Sequence, residues 1–261
     1  MGFLEKKDIY LAGSGIRSFL DLTLYTQKIL KECEVIYSTV GIPTLEDYLK
    51  GIAKRVVDLR SKYYLEGRNR MDIYRDITKH VMEGARKTPP VALLMHGHPL
   101  LFVTLAQWIQ DLAGQEKLSV EVIPAVSCLD RLFVDLNLDI GPKGIQIFAA
   151  NLAMSQNLPL NPRVDCLLFQ IGAPFGLQHE FRPTYPEDIA PLQEYLLRYY
   201  PSENPVTVVE SAIELGPESK LSHGRLGALQ ELALAFNYTA SLYIPAAILP
   251  SSSEKIRKTE V

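Results

Sequence analysis

Residues 63–74 have the sequence YYLEGRNRMDIY, in which phenol and guanidinium groups stand at a spacing suited to proton transfer. Arg70 and Tyr74 are four residues apart and therefore share one face of a predicted helix. Ile77 and Val81 continue that face with apolar side chains, which predicts that it turns toward the protein interior. Arg70 can stabilise a negative oxygen with its permanent charge, and beside a phenol it is expected to lower the tyrosine pKa.

The spacing of this segment leaves two interpretations open. In the first, Tyr64 reaches the helix through a turn that a glycine permits, and the two phenols and the guanidinium act together in a reaction. In the second, Tyr74 is an ordinary core tyrosine and Arg70 pairs with Asp72 or Glu66. An arginine in the first helical turn opposes the helix dipole, which favours a role other than capping.

The segment LLMHGHPLLF, residues 93–102, places His96 and His98 at the end of a predicted strand, directly before Pro99 and an apolar helix. Ligands settle at the carboxyl ends of strands in α/β sheets, because helix N-termini and free backbone groups converge there. Three interpretations fit this segment: a pair of metal ligands, a structural turn, and a binding loop for a small polar cofactor. No third metal ligand lies nearby in the sequence, and we adopt the cofactor loop.

Two glycines, Gly13 and Gly15, follow the first predicted strand in the segment YLAGSGIRS. They permit a tight turn and the close approach of another group to the backbone. A dinucleotide fingerprint would need a third glycine where Ser18 stands, and an acidic residue where residues 38–40 end the second strand. NAD binding is therefore disfavoured, and a packing turn between strand and helix fits equally well.

Two polar residues further along have both a structural and a ligand-binding interpretation. Ser127 precedes a predicted helix, where it can act as the N-cap with Asp130 as the acidic member of a capping box. Gln170 stands in an otherwise apolar strand, where its amide must find hydrogen-bond partners. A cofactor or a neighbouring backbone group would serve for Gln170.

Strand-like runs alternate with amphipathic segments through the first half of the chain, which predicts an α/β fold with a mostly parallel sheet. Beyond residue 117 the pattern becomes richer in strands. We predict an N-terminal α/β domain over residues 1–117, a strand-rich α/β domain over residues 118–250 and a flexible tail over residues 251–261. The predicted strands lie at 8–13, 35–40, 55–59, 91–97, 120–125, 145–150, 166–172, 206–211 and 239–246. The predicted helices lie at 20–31, 71–86, 102–112, 128–137, 186–199 and 225–236.

The composition excludes several classes of protein. A formal net charge of −3 provides no basic field for nucleic acid. Cys33, Cys128 and Cys166 are odd in number and far apart, which disfavours disulfides and a zinc site and indicates a reducing cytoplasm. The N-terminus has no continuous apolar signal segment, and the most apolar stretch contains two histidines and Pro99, so we predict no membrane span.

Four segments, YLAGSGIRS, MHGHPLLF, IPAVSCLDRLFVDL and LFQIG, stand in the order and spacing of motifs in a known superfamily. Through them the chain resembles the tetrapyrrole methylase superfamily of S-adenosylmethionine (SAM) methyltransferases over residues 8–246. The segments YYLEGRNRMDIY, AVSCLDRLFVDLNLD and SLYIPA are similar to the borosin subgroup. Borosin enzymes are peptide α-N-methyltransferases that methylate backbone amides of a ribosomally made precursor peptide.

The resemblance implies a fold of two α/β domains with SAM in the cleft between them, S-adenosylhomocysteine as the product and no metal. A neutral amide nitrogen must lose its proton to be methylated, while negative charge moves onto the oxygen as an imidate. The resemblance implies that Tyr64 and Tyr74 position and deprotonate the amide, directly or through water, and that Arg70 stabilises the imidate oxygen. The residues that it implies around the cofactor are His96, His98, Leu101, Ser127, Cys128, Gln170, Ala212, Ala240 and Ser241.

The expected partner is a precursor peptide. The sequence stops soon after SLYIPAAILPSSS without a valine- and glycine-rich substrate segment, so the resemblance implies a split system with the precursor supplied in trans. It also implies a cytoplasmic homodimer of two enzyme chains with two precursor chains, and no nucleic acid or membrane partner. Two alternatives stay open: a SAM-dependent C-methyltransferase acting on a tetrapyrrole or other small molecule, and a SAM-binding module without enzymatic activity.

Overall fold

The computed structural model describes residues 5–172, 179–180 and 182–247, which divide into two compact units. The first unit takes the described residues up to Leu138, those within 176–182 and the segment Ser211–Ser219. The second unit takes the remaining described residues. Within the described part of the chain, no helix is both long and apolar enough to cross a membrane.

The first unit contains a five-stranded sheet in the order β3-β2-β4-β1-β5, in which all strands are parallel. Its strands are β1 (Ile9–Gly13), β2 (Val35–Ser38), β3 (Val56–Asp58), β4 (Val91–Met95) and β5 (Val120–Ile123). Its helices are a 3-10 turn (Ser18–Asp21), α1 (Leu24–Glu32), α2 (Pro43–Ile52), α3 (Leu59–Tyr63), α4 (Arg70–Lys87), α5 (Thr104–Gln115) and α6 (Cys128–Asp135).

This sheet carries an apolar core on each of its faces. Every residue of β1 and β4 is buried, as expected for central parallel strands that helices cover on both sides. Because successive side chains point to opposite faces, Ile9 and Leu11 join the core formed with α4 and α5. Tyr10 and Ala12 join the other core, which is formed with α1 and α2. Packing on both faces of the sheet therefore fixes the positions of the strand ends.

The second unit contains a mixed sheet in the order β6-β7-β10-β8-β9. β6 and β7 run parallel, whereas β10 pairs antiparallel with β7 and β8, and β8 pairs antiparallel with β9. The strands are β6 (Ile145–Ala149), β7 (Asp165–Phe169), β8 (Pro205–Glu210), β9 (Lys220–Arg225) and β10 (Ala240–Ile244). The helices are α7 (Ala150–Ser155), α8 (Pro186–Leu197) and a 3-10 stretch (Leu226–Ala235).

The division between the units differs from the predicted boundary at residue 117. β5 pairs in parallel with β1, so residues 118–138 belong to the first unit and the division follows Leu138. The strand pairing that decides this is not visible in local composition. The predicted helix over 20–31 is divided into the 3-10 turn and α1, and the predicted tail over residues 251–261 lies outside the described residues.

Gly13 lies at the end of β1, where the loops after three strands meet. A Cβ added to it would lie 2.1 Å from the carbonyl oxygen of Gly97, 2.6 Å from the Cβ of Ala125 and 2.9 Å from the Cδ of Pro99. We predict that Gly13→Ala lowers the free energy of unfolding by about 2–3 kcal/mol, because backbone must shift to admit the methyl group. Chemical denaturation of the two proteins measures the difference.

Gly114→Ala provides the matched control for this prediction. Gly114 lies in α5, and a Cβ added there would meet no heavy atom within 4 Å. The substitution should stabilise the protein by up to about 1 kcal/mol through helix propensity. Equal unfolding free energies for the Gly13→Ala protein and the parent would contradict the close packing of the three loops.

Candidate functional site

The loops after β1 and β4 are joined by backbone hydrogen bonds at the carboxyl edge of the parallel sheet. The N–H of Ser14 donates to the carbonyl of Met95 at 2.8 Å, and the N–H of Gly97 donates to the carbonyl of Gly15 at 2.9 Å. The backbone N–H groups of His96 and His98 donate to no acceptor within the described ranges. The edge therefore presents backbone donors beside the two predicted histidines.

His98 is positioned by its own loop and lies near the start of α6. The N–H of Leu101 donates to the carbonyl of His98 at 3.2 Å, and the N–H of Leu100 donates to its Nδ1 at 3.2 Å. The pKa of Asp130 is lowered mainly by hydrogen bonds from Ser127, with burial opposing and a smaller contribution from His98. The loop after β4 and the N-terminus of α6 thus meet.

Ser127 and Asp130 form the predicted capping box. The Ser127 hydroxyl accepts the N–H of Asp130, and the Asp130 carboxylate accepts the N–H of Ser127 at 2.7 Å. Cys128 follows as the first residue of α6, and burial raises the pKa of its thiol to about 11. Cys128 is therefore a neutral, partly buried side chain at pH 7 and not a reactive thiolate.

His96 projects from the loop directly after β4. Its ring keeps solvent-accessible surface, yet the surrounding protein desolvates it, and together with the Arg60 guanidinium this lowers its pKa to about 4, while Asp21 opposes. His96 is consequently neutral at pH 7. Within the described residues, no group of three or more histidines, cysteines and acidic residues is gathered as metal ligands, so His96 and His98 gain no third ligand there.

The structure brings Tyr64, Arg70 and Tyr74 close together. Tyr64 follows the last residue of α3, Arg70 begins α4, and Tyr74 lies one helical turn later. The pKa of Tyr64 is raised, first by burial and then by Tyr74, while Arg60 and Arg70 lower it. Both tyrosines are half-buried against the core of the first unit. The Tyr74 ring packs edge to face on Trp108, with 6.4 Å between the ring centroids. All three side chains therefore share one neighbourhood.

Two expectations about this group need revision. The expected lowering of the phenol pKa is wrong for Tyr64, because the desolvation of the phenolate outweighs the guanidinium charges. The structural interpretation of Arg70 is also not supported, since Asp72 pairs with Arg75 instead. Arg70 forms no ion pair with any residue that the structure describes.

Two residues that the sequence did not mark accompany this group. The Arg60 guanidinium carbon lies 5.9 Å from the centroid of the Tyr64 ring. The His179 ring contacts Tyr64 edge to face at 5.6 Å. The N–H of Gly67 donates to the carbonyl of His179 at 2.8 Å, and the N–H of His179 donates to the carbonyl of Arg68 at 2.9 Å. Arg60 lies just beyond the predicted strand at 55–59, and this position could have identified it as a site residue. The contact of His179 with Tyr64 joins distant segments and could not be predicted from a local sequence pattern.

The remaining predicted cofactor residues fall on different parts of the chain. Gln170 lies just past the end of β7, not within it, with φ +58°, and its side-chain amide has no hydrogen-bond partner among the described residues. Continuing the antiparallel register of Leu242 with Leu168 places Ala240 opposite Gln170. Ser241 follows Ala240 on β10 and is buried.

Ala212 belongs to the first unit, in the segment Ser211–Ser219, which α6 holds in place. Ser211 donates to Asp135 at 2.7 Å, and the N–H of Ala212 donates to the Ser219 hydroxyl at 3.0 Å. Arg131 also donates to Ser219 at 3.3 Å. Ala212 is thus anchored to the same helix whose N-terminus carries Ser127 and Cys128.

Comparisons with known proteins identify the family of the chain. Residues 8–214 match the family of tetrapyrrole (corrin/porphyrin) methylases. The chain is 29% identical over 169 residues to a methyltransferase/ribosomally synthesized type I borosin cyclic peptide precursor of Serendipita vermifera subsp. bescii, covering 65% of this chain and 41% of that protein. It is 25% identical over 259 residues to a precursor of the same description from Cerrena unicolor, covering 98% of this chain and 63% of that protein. The chain therefore spans less than two thirds of the length of these relatives.

The solved structures confirm the predicted fold class. Uroporphyrin-III C-methyltransferase from Thermus thermophilus superposes with a TM-score of 0.65 at 20% identity, covering 94% of this chain and 98% of that one. Its complex with S-adenosyl homocysteine superposes with a TM-score of 0.60 at 20% identity, covering 91% of this chain and 96% of that one. The likeness establishes the two-unit α/β fold.

The lowered pKa of His96 predicts a pH dependence of stability. Between about pH 4 and pH 6.5 the unfolded chain binds a proton at this histidine and the folded protein does not. The free energy of unfolding should therefore fall as the pH decreases through this window, and it should fall less steeply in His96→Asn. Urea denaturation from pH 7 to pH 4.5 without cofactor measures both slopes. Identical slopes would show that His96 titrates normally.

Proposed function

This chain belongs to the tetrapyrrole (corrin/porphyrin) methylase family of SAM-dependent methyltransferases, and we propose that it methylates backbone amide nitrogens of a peptide. The observation that carries this proposal is the group Tyr64, Arg70 and Tyr74, in which a guanidinium without an ion pair among described residues stands near two half-buried phenols. The two fungal relatives support a peptide substrate, because each unites a methyltransferase with a cyclic peptide precursor.

The residues present fit SAM as the cofactor. The carboxyl edge of the parallel sheet offers backbone N–H groups without described acceptors and exposed apolar side chains at Leu100 and Phe102. In the second unit, the side-chain amide of Gln170 has no hydrogen-bond partner among the described residues. When bound, SAM supplies an electrophilic methyl group on a sulfonium. The residues that we assign to holding it are His96, His98, Leu101, Ser127, Cys128, Gln170, Ala212, Ala240 and Ser241.

The three proposed catalytic side chains divide the work of activating the amide. Burial keeps Tyr64 protonated at pH 7, so we assign it a hydrogen bond to the substrate oxygen. Arg70 stabilises the negative charge that collects on that oxygen when the amide becomes an imidate. Tyr74 shares a helix face with Arg70 and, in its phenolate form, takes up the amide proton to become the neutral phenol, directly or through water. Trp108 and the apolar core behind Tyr74 fix its ring.

The tyrosine and arginine neighbours of this group supply matched controls. The Tyr63 hydroxyl is hydrogen-bonded to the Nδ1 of His80 at 2.9 Å, and Arg68 forms an ion pair with Asp76 at 2.7 Å. Both side chains are thus already engaged in structural contacts, in contrast to Arg70. Tyr63 adjoins Tyr64, and Arg68 lies two residues before Arg70. Tyr63 therefore serves as the control for the two proposed catalytic tyrosines, and Arg68 as the control for Arg70.

We predict that Tyr74→Phe and Arg70→Ala lower the rate of peptide methylation at least about a hundredfold, because each removes a group needed to form the imidate. Tyr63→Phe and Arg68→Gln should stay near the parental rate. The peptide probe is the precursor part of the Serendipita vermifera relative, expressed as a separate chain. Tandem mass spectrometry counts the added methyl groups and locates them on backbone nitrogens. Parental rates in Tyr74→Phe and Arg70→Ala would overturn the assignment of the catalytic group.

The same assay tests the supply of the peptide in trans and separates the alternative functions. We propose that a homodimer of this chain accepts the peptide from a second polypeptide, so methylation of the separate probe is the expected outcome. Transfer to a uroporphyrin-type tetrapyrrole but not to the peptide would favour a C-methyltransferase. SAM binding without transfer to either acceptor would favour a binding module. Size-exclusion chromatography with light scattering measures the oligomeric state.

The proposed cofactor residues predict a loss of binding on truncation. Gln170→Ala and His98→Ala should each weaken S-adenosylhomocysteine binding about tenfold, the effect of losing roughly one hydrogen bond to the cofactor. Isothermal titration calorimetry measures the dissociation constants. Gln107→Ala is the control, because Gln107 donates to Asp111 on the outer side of α5. Unchanged binding in both Gln170→Ala and His98→Ala would contradict the proposed cofactor site.

A further inference from the structure

We propose that Arg60 is a further positioning residue of this site, held in place by Gly41 and acting on Tyr64, His96 and His179. This inference rests on the proposed function for its effect on catalysis, but its physical core can be tested without a substrate. Arg60 is the second residue of α3 and comes directly after the carboxyl end of β3. It therefore stands at the same edge of the sheet as the loop after β4, which carries His96 and His98.

The position of Arg60 on α3 brings its charge over the Tyr64 ring. Arg60 and Tyr64 are four residues apart, and the N–H of Tyr64 donates to the carbonyl of Arg60 at 3.0 Å. The guanidinium carbon lies 5.9 Å from the ring centroid, within the range of a cation–π contact. Neither a hydrogen bond nor an ion pair joins the Arg60 guanidinium to any residue in the described ranges. Its orientation is therefore set by the surrounding surface and not by a carboxylate.

Gly41 provides that surface. A Cβ added to Gly41 would lie 2.1 Å from the Cδ of Arg60 and 2.8 Å from its Nε, so the arginine side chain runs directly over the glycine. Gly41 has φ +71°, a conformation that other residues rarely adopt, and its N–H donates to Glu46 at 3.2 Å. The Arg60 side chain thus occupies the space that a side chain at position 41 would fill, so this position in the loop after β2 requires glycine.

The Arg60 charge reaches two imidazoles as well as the phenol. The pKa of His96 is lowered by burial first and by Arg60 second, with Asp21 opposing. The His179 ring contacts the Tyr64 ring over which Arg60 lies, at 5.6 Å between ring centroids, and its pKa is lowered by burial, then by Arg60 and Arg70, with Glu66 opposing. Among the charged groups, Arg60 therefore has the largest effect on the pKa of both histidines, although Arg60 itself is exposed to solvent.

The consequence is a site in which the imidazoles of His96 and His179 remain neutral to lower pH than isolated histidines do. A protonated His96 or His179 would repel the SAM sulfonium and the Arg70 guanidinium. Arg60 thus extends the pH range in which the proposed site keeps its working charge state, and it restrains the Tyr64 ring. Its role is exerted through these three residues and requires no contact with the substrate.

Nuclear magnetic resonance titration of the five histidines tests the charge effect without any substrate. Arg60→Gln should raise the pKa of His96 and of His179 by roughly 0.5 or more, while burial still keeps His96 below its ordinary value. Arg60→Lys should restore most of the difference because it restores the charge. Unchanged pKa values of His96 and His179 in Arg60→Gln would overturn the inference.

Arg55→Gln is the matched control for this titration. Arg55 precedes β3 by one residue, and its charge contributes to the lowered pKa of His80, after burial and Lys62 and against Glu83. Removing it should raise the pKa of His80 and leave His96 and His179 unchanged. Arg60→Gln should raise the pKa of His96 and His179 and leave the pKa of His80 unchanged. A uniform shift of all three histidines in either variant would indicate a general effect of net charge and would contradict a specific role of Arg60.

Activity measurements then connect the charge effect to the proposed reaction. Arg60→Gln should lower kcat about tenfold to a hundredfold with little change in the KM for SAM, and move the acid limb of the pH–rate profile to higher pH. Gly41→Ala keeps the arginine but displaces it, and should lower kcat in the same direction. A shift of the histidine pKa values without any change in kcat would refute the catalytic part alone. Loss of kcat without a shift of the pKa values would refute the charge mechanism.

Discussion

The parallel alignment of β1 to β5 is the constraint on which the candidate site of the first unit depends. Parallel strands deliver all their carboxyl ends to one edge, so residues far apart in sequence meet there. The turn after β1, the histidine loop after β4 and the N-terminus of α6 after β5 are joined around Gly13, where no further atom fits. The tyrosine–arginine group follows β3 at the same edge. One topological feature therefore positions the proposed catalytic group and those proposed cofactor residues that belong to the first unit.

Burial, and not charge pairing, dominates the electrostatics of this edge. Two guanidiniums lie near Tyr64, yet its pKa is raised, because removing the phenolate from water costs more than two partly solvated charges return. The same balance lowers the pKa of His96, for which burial and the Arg60 charge act in one direction. Tyr64 therefore holds its proton and His96 stays neutral at pH 7, and Arg60 and Arg70 are the permanent charges that lower the pKa of Tyr64 in the described structure. Such a group suits a reaction in which negative charge appears on an oxygen only at the transition state.

Most of the fold could be predicted from the sequence, and the exceptions have physical reasons. α4 was predicted within one residue at each end, because a long amphipathic stripe from Ile73 to Ala85 marks its buried face. β9 was missed because it is an edge strand with the polar sequence KLSHGR, whose pairing with β8 leaves no trace in hydropathy. α2 was missed because only two of its side chains are buried, at Leu45 and Leu49. Local patterns report burial, whereas strand order and unit boundaries depend on contacts between distant segments.

The division of labour between fold and site explains how one architecture can serve different substrates. Uroporphyrin-III C-methyltransferase shares the fold at 20% identity, and a shared fold does not by itself fix the acceptor. The proposed catalytic residues stand directly after the short helix α3 and in the first two turns of α4, outside the strands. Tyr63 and Arg68, which lie next to the proposed group, have structural partners: Tyr63 is hydrogen-bonded to His80, and Arg68 forms an ion pair with Asp76. Arg70, in contrast, forms no ion pair with a carboxylate in the described structure.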